Sequence, residues 1–529
     1  MRTPEHDRDD AAADPSRDAR RLLAGYEAAR ARRGAWEAHW RECYEYALPQ
    51  SAAQAPRGAG GERRADQLYD GTAPDAAEQL AASLLAELTP PWSRWFGLVP
   101  GPDVPDADRD RLAPVLERAT RTLQAHFDRS NLSVELHQCY LDLVVAGTAC
   151  LQFDEAAPGE PSAFRFAAVP LAEAVLEEGP SGRLDAVFRR SRPTAAEALR
   201  RFGRAGLPAD LLEAAARRED EPRADLLEAV LPDGPGYRYA AVLAGPGEPV
   251  RLASARLARS PFVAFRWLKA AGESYGRSPV MKALPDIKTA NKVVELVLRN
   301  ASIAVTGIWQ ADDDGVLNPA SIRLVPGAVI PKAVGSAGLT PLAAPGRFDV
   351  SQLVLDDLRA RIRHALLADR LGPVAGARMT ATEVLERSTE MARLLGATYG
   401  RLQGELVQPL VLRGLAVLAR RGEVPDLAVD GRFVDLQHRS PLAQAQGRRD
   451  VQSVLRWLET VQALGPDGAA ALDAGAAARW LARAYAVPGE LVRADGAGGR
   501  PPGAAGRGGG GVGRPPAAPA PLPVPTPDP

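Results

Sequence analysis

Two helical stretches in the middle of the chain, separated by a turn-rich β segment, constrain this sequence more than any other feature. Ser278 is placed as an N-cap, and Pro279 takes the first helical position, where a missing N–H costs nothing. Pro285 is expected to reset or kink the helix. From Asp286 the residues Ile287, Ala290, Val294, Val297, Leu298, Ala301 and Val305 recur on one apolar face. Lys288, Lys292, Glu295, Arg299 and Ser302 form a polar stripe on the other. Strand-like pieces with turns follow at Gly307–Gln310, Asp312–Gly315, Ile322–Val325 and Gly327–Pro331. A second helix, Val350–Asp369, turns Leu355, Leu358, Ile362 and Leu366 inward. The pattern predicts two antiparallel rods joined by a β cap.

On the N-terminal side, helices are expected over Arg17–Leu48, Pro74–Leu88, Asp108–Phe127 and Ser133–Ala146. Gly147 is their last C-cap, and a strand follows at Ala149–Phe153. Short strands at Phe164–Val169, Ala174–Glu177, Ala186–Arg190, Tyr237–Leu243 and Phe262–Trp267 alternate with helices Ala195–Phe202 and Asp210–Arg217. This texture reads as α+β with an antiparallel sheet, in a chain that is mainly helical. After the rods, a Gly/Pro loop, Arg370–Met379, precedes the capping box Thr380–Glu383 and a helix that Pro409 must kink or end. Helices at Leu410–Arg421, Leu442–Leu464 and Ala469–Tyr485 and a β-like patch at Leu427–Leu436 complete the ordered part. Residues 1–15 and the Gly/Pro-rich tail 491–529 are expected to be disordered.

The function classes excluded are chiefly catalytic. No Gly-x4-Gly-Lys-Ser/Thr loop, Gly-x-Ser-x-Gly elbow or His-Glu-x-x-His helix occurs. His137 and Cys139 stand two apart on a helix and face different sides, so no metal set is expected. Asp312-Asp313-Asp314-Gly315 lacks the alternating ligands and distal Glu of a calcium loop and reads as a turn. Asp356 and Asp357 diverge by about 100° on a helix and read as a solvated face. No catalytic residue and no cofactor is expected. Cys43, Cys139 and Cys150 are expected as small core residues in a reducing compartment. Trp92, Trp95 and Phe96, beside Pro90-Pro91, are expected as a core anchor or an inter-subunit knob. No apolar run long enough to span a bilayer is expected, and no secretion signal. The net charge is −1, so any affinity for nucleic acid has to be local. Of the 65 basic residues only five are Lys, and all lie between Lys269 and Lys332.

Several collinear stretches resemble the podovirus-type bacteriophage portal, or head-to-tail connector, family. They are Leu68-Tyr-Asp-Gly-Thr-Ala73, Leu88-Thr-Pro-Pro-Trp-Ser-Arg-Trp-Phe96, Arg129-Ser-Asn-Leu132 and Val145-Ala-Gly-Thr148. Further along come Arg266-Trp267, Tyr275-Gly-Arg-Ser-Pro279, Ala283-Leu-Pro-Asp-Ile-Lys288 with Asn291, and Pro326-Gly-Ala328. Met379-Thr-Ala-Thr-Glu-Val384 and Gly400-Arg-Leu-Gln-Gly-Glu405 close the series. Each is short; their order over residues 20–440 makes the set specific.

The resemblance implies a ring, of twelve subunits in that family, at one capsid vertex. It implies a wing (16–280), a first stem helix (281–305), a β-containing clip (306–348) and a second stem helix (349–369). A tunnel loop (370–379), a long helix returning to the wing (380–440) and a helical crown (441–490) follow. Expected partners are non-specific double-stranded DNA, the terminase large subunit, capsid and scaffold proteins and a tail adaptor, with no membrane. The expected location is the virion, after assembly in the host cytoplasm. Lys288, Lys292 and Arg299 are expected to face the DNA channel, or to pair with Glu295 or a neighbour's acids on a solvated face. Arg370 and Arg378 bracket the loop as further channel candidates. Asp312, Asp313, Asp314 and Asn318 are candidates for docking at the clip. The alternatives are another head–tail component, such as an adaptor, or a phage nucleic-acid enzyme.

Overall fold

The computed structural model describes residues 15–50, 67–91, 93–204, 207–217, 223–245, 247–306, 309–311, 334, 339–341, 348–371, 395–439, 441–465 and 472–484. The first element, helix α1 (Pro15–Ala47), serves two cores. Its N-terminal half lays Ala19, Leu22, Tyr26 and Ala29 on Val175, Phe188, Leu227 and Val242. Its C-terminal half sends Trp40, Cys43, Tyr44 and Ala47 into the main core. The apolar positions recur every three to four residues, so one face is continuous over 33 residues. Asp18, nearly buried, anchors the start of α1 to Arg238 and, at 3.0 Å, to Arg251.

Helices α2 (Thr72–Leu88), α3 (Asp106–Arg129) and α4 (Leu132–Ala146) build the main core with strand β1 (Phe96–Pro100). Gly147 ends α4 with φ +76°, the left-handed turn that a side chain would strain. Strands β2 (Thr148–Glu155), β3 (Phe164–Ala168) and β9 (Phe262–Arg266) form a three-stranded antiparallel sheet in the order β3-β2-β9. Strands β4 (Ala174–Glu177), β5 (Ala186–Ser191), β6 (Leu226–Asp233), β7 (Gly236–Leu243) and β8 (Val250–Leu257) form a five-stranded antiparallel meander. Helices α5 (Ala195–Phe202), whose Thr194 and Glu197 make a full capping box, and α6 (Ala209–Arg217) lie between β5 and β6. Strands β1, β6 and β8 lie outside the expected set. Their burial does not alternate cleanly, and β6 has a nearly continuous buried run, Leu226–Val230.

Helix α7 (Pro279–Thr306) and helix α8 (Phe348–Ala365) are the two expected rods. Asp286, early in α7, pairs with Arg361, late in α8, at 2.9 Å. Beyond their other ends β10 (Trp309–Ala311) pairs antiparallel with β11 (Leu339–Pro341). The rods therefore run antiparallel, as the pattern predicts. Pro285 neither ends nor resets α7, which runs through it unbroken. One ladder bond is forgone there, and the burial of Val280, Ala283, Leu284 and Ile287 holds the turn in place. Leu298, expected inside, is 53% exposed. A short helix α9 (Ala368–Leu371) follows α8 after Leu367, whose φ of +59° breaks the rod.

Pro409 does not end its helix either. Helix α10 (Gly396–Leu402) passes through a five-residue π turn, Gln403–Val407, into α11 (Gln408–Arg420). The Gln408 N–H reaches back five residues to the Gln403 carbonyl. The wider turn shifts the ladder by one residue just where proline brings no N–H. Against the expectation of no spanning run, Gly396–Arg420 is long and apolar enough to cross a bilayer, but 61% of its most apolar stretch is buried inside the protein. Gly414 is the reason it packs so closely: a Cβ there would lie 2.6 Å from Leu123 Cδ1. Strand β12 (Val434–His438) returns to pair with β1, and helices α12 (Pro441–Ala463) and α13 (Ala474–Ala484) follow. The three cysteines are free and buried. Trp95 and Phe96 are buried against Phe127, so they are core anchors, while Trp92 lies outside the described residues.

Candidate functional site: the foot of the paired helices

The Leu68–Ala73, Val145–Thr148, Arg266-Trp267 and Tyr275–Pro279 stretches, Asn291 and Glu405 meet where α7 and α8 enter the body, while Pro326–Ala328 and Met379–Val384 lie outside the described residues. Ser278 Oγ accepts the Met281 N–H at 2.8 Å, which is the N-cap bond of α7, and donates to the Val145 carbonyl at 2.8 Å. One hydroxyl thus starts a new helix and ties it to the end of α4. Gly276 N–H bonds Thr148 Oγ1 at 2.8 Å, and Trp267 N–H bonds the Gly147 carbonyl at 2.9 Å. A Cβ on Gly276 would collide with the Gly147 carbonyl, and a Cβ on Gly147 with that of Gly276. The two backbones touch because both residues are glycine. Trp40 donates its indole N–H to the Ala146 carbonyl at 3.1 Å and packs edge-on against Tyr275, with ring centroids 5.0 Å apart. The guanidinium of Arg277 lies over the Trp36 ring at 4.7 Å.

Beneath this junction Arg266 is wholly buried. Its five guanidinium donors are all used. Nε and Nη2 bond Glu405, Nη1 bonds Glu178 and the Ser274 carbonyl, and Nη2 also bonds the Gly182 carbonyl. The Glu405 contact is 2.6 Å, and the same carboxylate takes the Arg266 main-chain N–H at 3.0 Å. Burial disfavours the Arg266 charge, yet its bonds to Glu405 and Glu178 outweigh that and raise its pKa. Glu405 sits in the π turn, so the widened helix aims this carboxylate at the sheet.

A second lock holds the rods themselves. Asn291 of α7 accepts the N–H groups of Tyr69 and Asp70 at 2.6 and 3.1 Å and donates to the Gln67 carbonyl at 2.9 Å. Asp70, just ahead of α2, accepts the Thr72 N–H at 3.0 Å and takes Arg359 Nε of α8 at 2.9 Å. Burial alone would raise the Asp70 pKa; the bonds from Thr72 and Arg359 hold it below its ordinary value. The Asp70–Arg359 pair was not singled out from sequence. Its signals were Asp70 inside the Leu68–Ala73 stretch and Arg359 on the polar side of the second rod.

The basic stripe stays on the surface. Lys288 pairs with Glu42 of α1 at 3.3 Å and lies 6.0 Å from the Tyr46 ring centroid. Lys292 and Arg299 both pair with Glu295, at 2.9 and 2.5 Å. The bond from Lys292, ahead of the charge of Arg299, holds Glu295 below its usual range. Three cations share two acids, so the stripe keeps a positive surplus. The side chain of Arg370, and Arg378, Asp312, Asp313, Asp314 and Asn318 entirely, lie outside the described residues. Among the described residues no group of three or more His, Cys, Asp and Glu is placed to hold a metal ion.

The arrangement is a joint: charge and hydrogen bonds tie two long helices to a mixed body. Comparison with known proteins supplies its context. The chain is 27% identical over 489 residues to the probable portal protein of Bordetella phage BPP-1, covering 87% of this chain and 85% of that protein. It is 25% identical to the portal protein of Enterobacteria phage T3, covering 68% and 71%. It is 24% identical to that of Salmonella phage epsilon15, covering 80% and 79%. Among solved structures, a chain from the virion of a native gene transfer agent particle matches with a TM-score of 0.32 at 14% identity, covering 77% of this chain and 92% of that one. The model of the family described as bacteriophage head to tail connecting protein matches residues 19–492, and the chain belongs to that family.

Proposed function

We propose that the chain is a portal subunit that forms a ring at one capsid vertex, through which double-stranded DNA enters and leaves the head. The observation that carries this reading is the pair of antiparallel helices α7 and α8, locked to the body by Asn291 and Arg359, in a member of the head to tail connecting family. In a ring such rods stand side by side around an axis and line a conduit. On this reading residues 16–280 form the wing and 306–348 the clip. The segment 370–379 is the tunnel loop and 441–490 the crown.

DNA passing through such a conduit must be held without being gripped by sequence. Phosphate contacts do this, because they are independent of base identity and weaken with salt. The exposed surplus cations of the Lys288–Lys292–Arg299 stripe face the channel in this proposal, with Arg370 and Arg378 contributing from the loop. Repetition around the ring multiplies a small local charge, so one chain's near-neutrality is no obstacle. Asp312, Asp313, Asp314 and Asn318 form the docking tip for the terminase large subunit during filling and for a tail adaptor afterwards. Capsid and scaffold proteins contact the body. The protein has a structural rather than an enzymatic role and resides in the virion, after assembly in the host cytoplasm.

Negative-stain microscopy of the purified full chain tests the reading. Rings with a central hole, twelve-fold after image averaging, are expected; a monomer under every condition that permits assembly would overturn it. An adaptor would also assemble, but without the two-helix stem projecting from the ring.

A further inference from the structure

A cleft opens between the turn joining β4 to β5, the turn joining β8 to β9, and the start of α11. Arg183, Asp185, Tyr237, Arg259, Ser260 and Glu405 line it. Other arginines of the same five-stranded sheet are matched with acids. Arg189 pairs with Glu173, Arg190 with Asp225, and Arg251 with Asp18. Arg183 and Arg259 have no such match. Among the described residues neither makes an ion pair, and the only hydrogen bond of the Arg183 guanidinium is a long one, 3.5 Å to the Gly404 carbonyl. Of the two acids in the cleft, Glu405 is matched by arginines, whereas Asp185 is hydrogen-bonded and keeps its charge. Asp185 accepts the Ser181 hydroxyl at 2.7 Å, and Glu405 is held by Arg266 and Arg401.

We propose that this cleft binds one phosphate group, gripped by Arg183 and Arg259 from two different turns, with Tyr237 beside it. The planar guanidinium fork matches phosphate geometry. The two guanidiniums outnumber the one carboxylate, Asp185, that lacks an ion pair among the described residues, so the cleft keeps a positive surplus, and the three acceptor oxygens of a phosphate monoester can meet both forks at once. Both arginines line the same cleft as the Tyr237 hydroxyl. That hydroxyl is held above its ordinary pKa by burial and by Asp185, with the two arginines opposing. The proposal rests on the cleft alone and is independent of ring formation. The group is either free phosphate or the terminal monoester of a nucleic-acid strand; the chemistry is the same.

The test is titration calorimetry on the purified full chain at about 50 mM salt, where screening is modest. The probes are inorganic phosphate, acetate, and a short duplex with or without 5′-phosphates. Saturable phosphate binding is expected, weakened at least about tenfold in the double variant Arg183→Gln/Arg259→Gln, since each lost guanidinium removes a charge-assisted bond. Arg256→Gln, at an exposed arginine that pairs with Asp233, should leave binding unchanged. Competition only by the 5′-phosphorylated duplex identifies a strand end as the source; no competition by either duplex identifies free phosphate. Absence of saturable phosphate binding, acetate binding as tightly as phosphate, or an unchanged affinity in the double variant each overturns the proposal. Both arginines are exposed, so the variant should fold, and its unfolding midpoint measured with and without phosphate gives a second readout. Phosphate should raise the midpoint of the wild type and leave that of the variant in place.

Discussion

The buried guanidinium of Arg266 and the carboxylate of Glu405 meet at 2.6 Å across 139 residues of sequence, joining the last strand of the three-stranded sheet to the π turn between α10 and α11. Removing one partner leaves the other charged and buried. Glu405→Leu should destabilise the chain by about 3–5 kcal/mol in urea unfolding. Arg266→Met with Glu405→Leu should recover much of that loss, and a double variant no better than the single one would contradict the account. Arg266→Lys should behave as a loss, because an ammonium cannot reach five acceptors in one plane.

Asn291→Leu should free the 67–70 segment. It leaves the buried Asp70 N–H without an acceptor, at a cost of about 1–3 kcal/mol. Hydrogen exchange is the direct measurement: amides of Tyr69 and Asp70 should lose protection while those of β6 keep it. Equal exchange in the variant and the wild type would mean that Asn291 does not hold the rods to the body.

Gly276→Ala should prevent correct folding, since its Cβ collides with main chain at Gly147 that cannot move aside. Gly400→Ala provides the contrast. Nothing lies within 4 Å of a Cβ there, and the residue is in helix α10, so a gain of up to about 1 kcal/mol is expected. Soluble yield and unfolding midpoint check both.

Asp142 titrates unusually. Burial pushes its pKa up to about 7, against the opposing hydrogen bond from the Tyr44 hydroxyl at 2.6 Å. Between the unfolded value of 3.8 and about 7 the folded chain binds more protons than the unfolded one. Its contribution to stability is therefore complete below pH 4 and is lost as the pH rises to 7, by at most about 1.4 kcal/mol per unit. Asp142→Asn keeps an oxygen for Tyr44 and removes the titration. Denaturant midpoints at pH 5 and pH 8 should differ less in this variant than in the wild type.

Lys288→Gln with Lys292→Gln tests the proposed channel stripe. Both lysines are exposed and paired only with surface acids, so the effect on folding should be within about 1 kcal/mol. Rings should form normally while packaged DNA length or yield falls. Normal packaging in intact rings would reduce the stripe to a solvated face paired with Glu42 and Glu295.

Local chemistry made much of the architecture legible in advance. The N-cap at Ser278, the left-handed stop at Gly147 and the periodicities of α1, α7 and α8 depend on neighbours within a turn or two, and they are written in the residue order. At positions 285 and 409 proline did not stop the helix, one of the two outcomes expected of each. Its local cost is fixed, but packing of Val280, Ala283, Leu284 and Ile287 around one, and a π turn before the other, absorb it. Strands β1, β6 and β8 escaped notice because partners far along the chain, such as β12 for β1, decide their burial.

From residue order alone followed two antiparallel rods, an antiparallel α+β body and collinear stretches that resemble one family. Only the tertiary structure decided that the Leu68–Ala73, Val145–Thr148, Arg266-Trp267 and Tyr275–Pro279 stretches converge at the foot of the rods, that Asp70 belongs to Arg359, and that the stripe cations lean on Glu42 and Glu295. The reason is one of range. Helix periods and caps are set over a few residues, whereas a salt bridge between positions 70 and 359 exists only once the chain has folded back on itself and excluded water from between them.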